Sequence, residues 1–136
     1  MKTNYAAVVV SAVVYWLLGA VWYGFLFNKP WLELEQMTAE KAASMNPLLP
    51  YIITFVLNLL IAFVLAQICT WRNANTAARG AAVGILLWIG FIGPVNYMTF
   101  MYEMRPMKLF AINEFYSLVG LFLMGLILGA WTKKAA

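Results

Sequence analysis

Four long apolar runs leave this chain few ways to fold. They extend from Tyr5 to Phe27, Tyr51 to Trp71, Gly80 to Tyr102 and Leu109 to Trp131, and only the last contains a charged residue, Glu114. Each has the roughly 20 residues that an α-helix needs to cross a hydrocarbon core about 30 Å thick. Membrane strands would need about half that length, with alternating polarity, and no such alternation occurs. In lipid every backbone N–H and C=O must be satisfied internally, so the runs are predicted helices. The expected fold is an all-α membrane protein, a four-helix transmembrane bundle forming a single domain over residues 1–136.

Composition supports this reading. Hydrophobic residues make up 65% of the 136 and charged residues only 10%, against about 25% charged in soluble domains. A soluble fold this small has too little interior for that much apolar surface. Lys2 ahead of the first run resembles the start of a secretory signal. The run is too long for the apolar part of such a signal, about 7–15 residues, and no small-residue cleavage site follows it. It is expected to remain as a signal anchor and first span.

The nine Lys and Arg outnumber the five Glu, but they are scattered over loops and ends. No patch suggests nucleic acid as a partner; the bilayer is the expected one. Lys2, Arg72, Arg79, Lys133 and Lys134 fall on one side, and Lys29, Lys41, Arg105 and Lys108 on the other. This bias, together with the basic ends, favours both termini in the cytoplasm. Insertion in both orientations, giving an antiparallel dimer, stands as the alternative. Aromatic residues cluster at span ends, with Trp22 and Trp31 as expected interface anchors around the first exit. The one long connection, residues 28–50, contains Thr38 followed by Ala39-Glu40-Lys41-Ala42-Ala43, which reads as an N-cap and a short surface helix stopped by Pro47 and Pro50.

Polar side chains within the spans are the candidate functional residues. Counted from the run ends, Glu114, Asn113, Asn58, Asn96, Tyr23, Tyr97 and Thr54 fall at similar depth, in the half of the bundle away from the termini. They are expected to face inward as one polar layer. Two readings follow: a hydrogen-bonded knot that fixes the bundle, or a polar pocket open to the outer side, in which Glu114 handles a proton or cation. Arg105 and Lys108 are the charged partners within reach of Glu114 along the sequence.

Small residues recur at four-residue spacing, the pattern that allows close helix packing. Examples are Gly80 and Gly84 in the third run, Gly125 and Gly129 in the fourth, and Ala62 and Ala66 in the second. These rows exceed what one bundle needs, so a homo-oligomer is expected. Pro94 removes one backbone N–H and is predicted to kink or locally unwind the third helix just before Asn96.

Chemistry is otherwise sparse. The sequence has no His and no Asp, and Cys69 is its only cysteine. A histidine metal site, a Ser-His-Asp triad and an internal disulfide cannot be built, and no phosphate-binding Gly-rich loop occurs. No metal, catalytic residue or cofactor is assigned. An enzyme is the least supported class, and Cys69 reads as a small buried hydrophobe.

The segment from Trp16 to Trp31, WLLGAVWYGFLFNKPW, resembles the opening signature of the bacterial domain-of-unknown-function family 1761. The matching elements are Gly19, Trp22-Tyr23, Phe27, Lys29 and Trp31. Thr38-Ala39-Glu40, the Gly-rich third run with Trp88, and Glu114-Phe115-Tyr116 extend the likeness over nearly the whole chain. The resemblance implies a small four-helix integral membrane protein, with the bacterial inner membrane as its expected place, and no known activity. The functional expectation is binding or transport of a small molecule or ion at a pocket near Glu114; the alternative is a structural or partner-binding membrane protein.

Overall fold

A computed structural model describes residues 2–35 and 48–133. It contains four helices long and apolar enough to cross a membrane: span one, Tyr5–Leu26; span two, Leu49–Trp71; span three, Ala77–Tyr102; and span four, Met107–Ala130. The described chain is helical apart from caps and turns. The expected all-α four-helix membrane bundle is the architecture found. The surface helix expected from Thr38 to Ala43 lies outside the described residues. A short helix not anticipated from sequence, Asn28–Leu34, directly follows span one.

Local chemistry sets the helix ends. Asn4 caps span one by accepting a hydrogen bond from the Ala7 N–H at 3.3 Å. Thr76 caps span three through the Arg79 N–H at 3.1 Å. Spans two and three both end on a left-handed residue, Asn73 (φ 53°) and Met104 (φ 55°). The following N–H groups reach back to the helix, Ala74 to the Cys69 carbonyl at 2.8 Å and Arg105 to the Phe100 carbonyl at 3.0 Å. This is the Schellman closure, which satisfies otherwise orphaned carbonyls.

The Lys2 N–H donates to the Lys133 carbonyl at 2.8 Å, and Asn4 Nδ2 donates to the Trp131 carbonyl at 3.2 Å. Lys2 and Lys133 therefore lie together, on the side that also carries the turn between spans two and three.

Span four is the most buried of the four and lies at the centre of the packing. Its tightest contact is a glycine seam with span three. A Cβ on Gly80 would overlap the Gly125 carbonyl and come 2.8 Å from the Gly129 Cα, and one on Gly84 would overlap the Leu121 carbonyl. Spans one and two pack through Ala7, Ala12, Ala62 and Ala66, which are buried in the core with Leu65, Met124 and Leu128. Large apolar side chains cover the outside, among them Leu57, Leu60, Val64, Leu86, Ile89 and Phe91. For a water-soluble protein this would be an aggregating surface; in lipid it is the solvent-facing one.

Two helical turns widen to π geometry: Trp22–Leu26 in span one and Trp88–Ile92 in span three. In each, the tryptophan carbonyl accepts from an N–H five residues on, that of Phe27 in the first turn and Gly93 in the second. The predicted distortion at Pro94 takes this form. Proline has no N–H to return to the Gly90 carbonyl, and the preceding turn opens.

Candidate functional site

The two π turns share the pattern Trp-x-Gly-Phe, as Trp22-Tyr23-Gly24-Phe25-Leu26 and Trp88-Ile89-Gly90-Phe91-Ile92. They also share a role, since each leads with a tryptophan whose indole N–H enters the bundle and meets a carbonyl of span four. Trp22 Nε1 donates to the Ile112 carbonyl at 2.9 Å. Trp88 Nε1 donates to the Glu114 carbonyl at 3.1 Å and to Ser117 Oγ at 2.9 Å. Spans one and three thus grip span four at positions two residues apart.

Side chains reinforce both grips. Toward span three, Asn96 Nδ2 donates to both carboxyl oxygens of Glu114, at 2.9 and 3.1 Å. Ser117 Oγ donates to the Glu114 carbonyl at 2.9 Å and lies 3.4 Å from Glu114 Oε2. Glu114 is only 5% exposed. Toward span one, Tyr23 OH donates to Asn113 Oδ1 at 2.8 Å. Glu114 and Asn113 are consecutive, about 100° apart on the helix, so they serve different neighbours.

An aromatic cluster fills the contact between spans one and four. The Tyr116 ring lies 4.8 Å from that of Tyr15, 5.2 Å from Tyr23 and 6.3 Å from Trp22, centroid to centroid. Its hydroxyl donates to the Tyr15 carbonyl at 3.3 Å. Glycines make the room: a Cβ on Gly120 would overlap the Tyr15 ring, and one on Gly19 would lie 2.9 Å from the Tyr116 hydroxyl.

The expected polar layer is therefore divided. Glu114 joins Asn96, and Asn113 joins Tyr23, but Asn58 belongs to neither pair. Trp16 packs against Phe55, and Tyr5 against Phe63. Between those contacts Asn58 comes level with Ser11, twelve residues or about 18 Å along span one from Tyr23. There Asn58 is buried, and neither its Nδ2 nor the buried Ser11 Oγ has a hydrogen-bond partner among the described residues. Thr54 and Tyr97, also expected to point inward, are exposed on the outside, and the Thr54 hydroxyl donates back to the Pro50 carbonyl at 2.6 Å. Trp22 uses its indole N–H inside the bundle rather than as an interface anchor. Trp31 packs edge-on against Tyr23 at 5.3 Å.

The charged partners considered for Glu114 do not pair with it. Arg105 bonds Glu35 at 2.9 Å, its guanidinium 4.3 Å above the Phe100 ring. No ion pair forms between Lys108 and Glu114 among the described residues. Trp88, Ser117 and Tyr116 carry contacts that the sequence reading did not assign to the site. The repeated Trp-x-Gly-Phe motif was the signal available for Trp88.

No curated protein and no solved structure matches the chain. A family model described as "Protein of unknown function (DUF1761)" matches residues 6–129. That match covers nearly the whole chain, including the Trp-Tyr signature, both π turns and the Glu114 region, and the chain belongs to the DUF1761 family.

Proposed function

We propose that this chain is a structural or partner-binding membrane protein, in which the polar groups of span four lock the bundle rather than line a pocket. One observation carries the reading: both Glu114 carboxyl oxygens accept from Asn96 at a position only 5% exposed. With the Trp22, Tyr23 and Trp88 contacts, residues 112–117 tether spans one and three to the central helix. The function then lies at the surface of the protein. A second copy is one such partner, for which Ala20, Gly24 and Gly90 are exposed, the two glycines with open space beside them.

A second reading rests on its own observation. Glu114 has no cationic partner among the described residues, since Arg105 is engaged by Glu35. An ionised carboxylate there is costly in lipid, so a proton or a cation is the natural companion of this group.

Glu114→Gln in proteoliposomes separates the two, because Gln keeps shape and hydrogen bonding but cannot ionise. The structural reading expects a folded variant whose proton and monovalent-cation permeability equals that of the wild type. A wild-type flux that the variant lacks would overturn it in favour of the second reading. We further propose the bacterial inner membrane with both termini cytoplasmic. Cysteines placed at the exposed Asn75 and Met104 should label from opposite faces; labelling of each from both faces would show dual insertion.

A further inference from the structure

The end of the bundle that carries the chain termini is electrostatically one-sided. Among the described residues it holds Lys2, Arg72, Arg79 and Lys133. The four described carboxylates, Glu33, Glu35, Glu103 and Glu114, all belong to the opposite half. At the basic end, the turn after span two and the first turns of span three border an open crevice of about 310 Å³, lined by Arg72, Ala74, Arg79, Ala82, Val83 and Leu86. That is the size at which small-ligand sites begin.

The lining is graded along the membrane normal. Arg72 follows Trp71, the last residue of span two, which is 77% exposed in the manner of an interfacial belt residue. Arg79 lies in the first turn of span three, where helix N–H groups also favour an anion. One of its N–H groups reaches Asn75 Oδ1 at 3.2 Å, and neither arginine has a carboxylate partner among the described residues. Leu86 lies seven residues past Arg79, about 10 Å deeper. With Val83 and Ala82 it forms an apolar wall, and Leu86 is 63% exposed.

We propose that this crevice binds an anionic phospholipid, with the phosphate between Arg72 and Arg79 and an acyl chain along Ala82, Val83 and Leu86. Two guanidiniums at headgroup depth, with no carboxylate partner among the described residues, supply the charge complement. The apolar wall beneath them distinguishes a lipid from a free phosphate. The positive charge of this end, which sequence alone reads as a topology signal, also forms a binding site. The inference goes beyond the function proposed above and stands at the other end of the bundle from Glu114.

Native mass spectrometry of the purified full chain, titrated with equimolar phosphatidylglycerol and phosphatidylcholine, tests it. The expected result is a one-to-one adduct with phosphatidylglycerol. Affinity should fall about fivefold on Arg72→Gln and about 30-fold on the double variant with Arg79→Gln, taking about 1 kcal/mol per interfacial cation. The charge-retaining Arg72→Lys/Arg79→Lys variant keeps the preference. Leu86→Trp, which fills the apolar wall, should weaken phosphatidylglycerol binding while leaving the protein folded. Equal retention of both lipids, or retention of phosphatidylglycerol by the double Gln variant, would overturn the proposal. Competition by glycerol phosphate or inorganic phosphate as strong as by the lipid would also overturn it, by showing an anion site without a lipid.

Discussion

Gly80→Ala measures how closely spans three and four are packed. In an isolated helix this exchange stabilises by about 1 kcal/mol, because alanine restricts the unfolded backbone. Here the added Cβ would meet the Gly125 carbonyl and lie 2.8 Å from the Gly129 Cα. Carbon atoms prefer about 3.5–4.0 Å, so the two helices must separate by about 1 Å. A gap of that size forfeits a quarter to a half of the attraction at every contact along the seam. Overpacking of this kind costs about 1–3 kcal/mol. In a membrane no hydrophobic term between helices offsets it, since association rests on packing. After the intrinsic gain of alanine, the net expectation is a loss of about 0–2 kcal/mol, so Gly80→Ala should lie about 1–3 kcal/mol below a Gly→Ala exchange at an uncrowded helix position. Gly90→Ala is the internal control, because a Cβ there meets nothing within 4 Å; it should be neutral or mildly stabilising. Reversible unfolding in mixed dodecyl maltoside and SDS micelles, followed by circular dichroism, gives both values. A Gly80→Ala protein as stable as the Gly90→Ala protein would refute the seam.

Three further outcomes are expected. Trp88→Phe and Trp22→Phe keep an aromatic ring but remove the indole donor, and each should cost at least about 0.6–1.7 kcal/mol in the same unfolding assay; no loss in either would remove the indole tethers from the account. Asn58→Leu deletes a buried amide whose Nδ2 has no partner among the described residues. It should leave stability unchanged or raise it by about 1–3 kcal/mol, and a marked loss would mean that Asn58 has a partner after all. Glu35→Gln breaks a half-buried ion pair with Arg105 and should cost less than about 1 kcal/mol, the loss shrinking further in high salt.

The spans were legible because lipid imposes one strong rule. A backbone that cannot bond to water must be helical, and Tyr5–Leu26 or Leu49–Trp71 offer no other solution. Close helix packing was legible too, from the four-residue spacing of small residues, though which helices would meet was not: Gly80 faces Gly125 and Gly129, while Gly84 faces the Leu121 carbonyl. The candidate site was legible only in part. Glu114 with Asn96 and Asn113 with Tyr23 came together because their helices are antiparallel neighbours of span four. Asn58 did not join them. Counting depth from the ends of apolar runs assumes that the spans sit flush, whereas the Trp16–Phe55 and Trp22–Ile112 contacts show span two displaced relative to span four. Thr54 and Tyr97 share a depth with inward-facing residues but lie on the outer side of their helices, a choice set by helix rotation and invisible in depth alone. Trp22 looked like an interfacial anchor because it stands near a span end. A π turn instead brings its indole to the Ile112 carbonyl, and a widened turn leaves no trace in a simple 3.6-residue pattern.

The central claim is that Glu114 and Asn96 form a direct, packed link between spans three and four. A double-mutant cycle with Glu114→Ala, Asn96→Ala and the double variant, each unfolded reversibly in bicelles, isolates that link from the separate effect of each truncation. The account predicts a coupling of about 0.6–1.7 kcal/mol, the range of intramembrane hydrogen bonds. Additivity to within about 0.3 kcal/mol would contradict it, by showing that the two side chains do not act on each other across the seam.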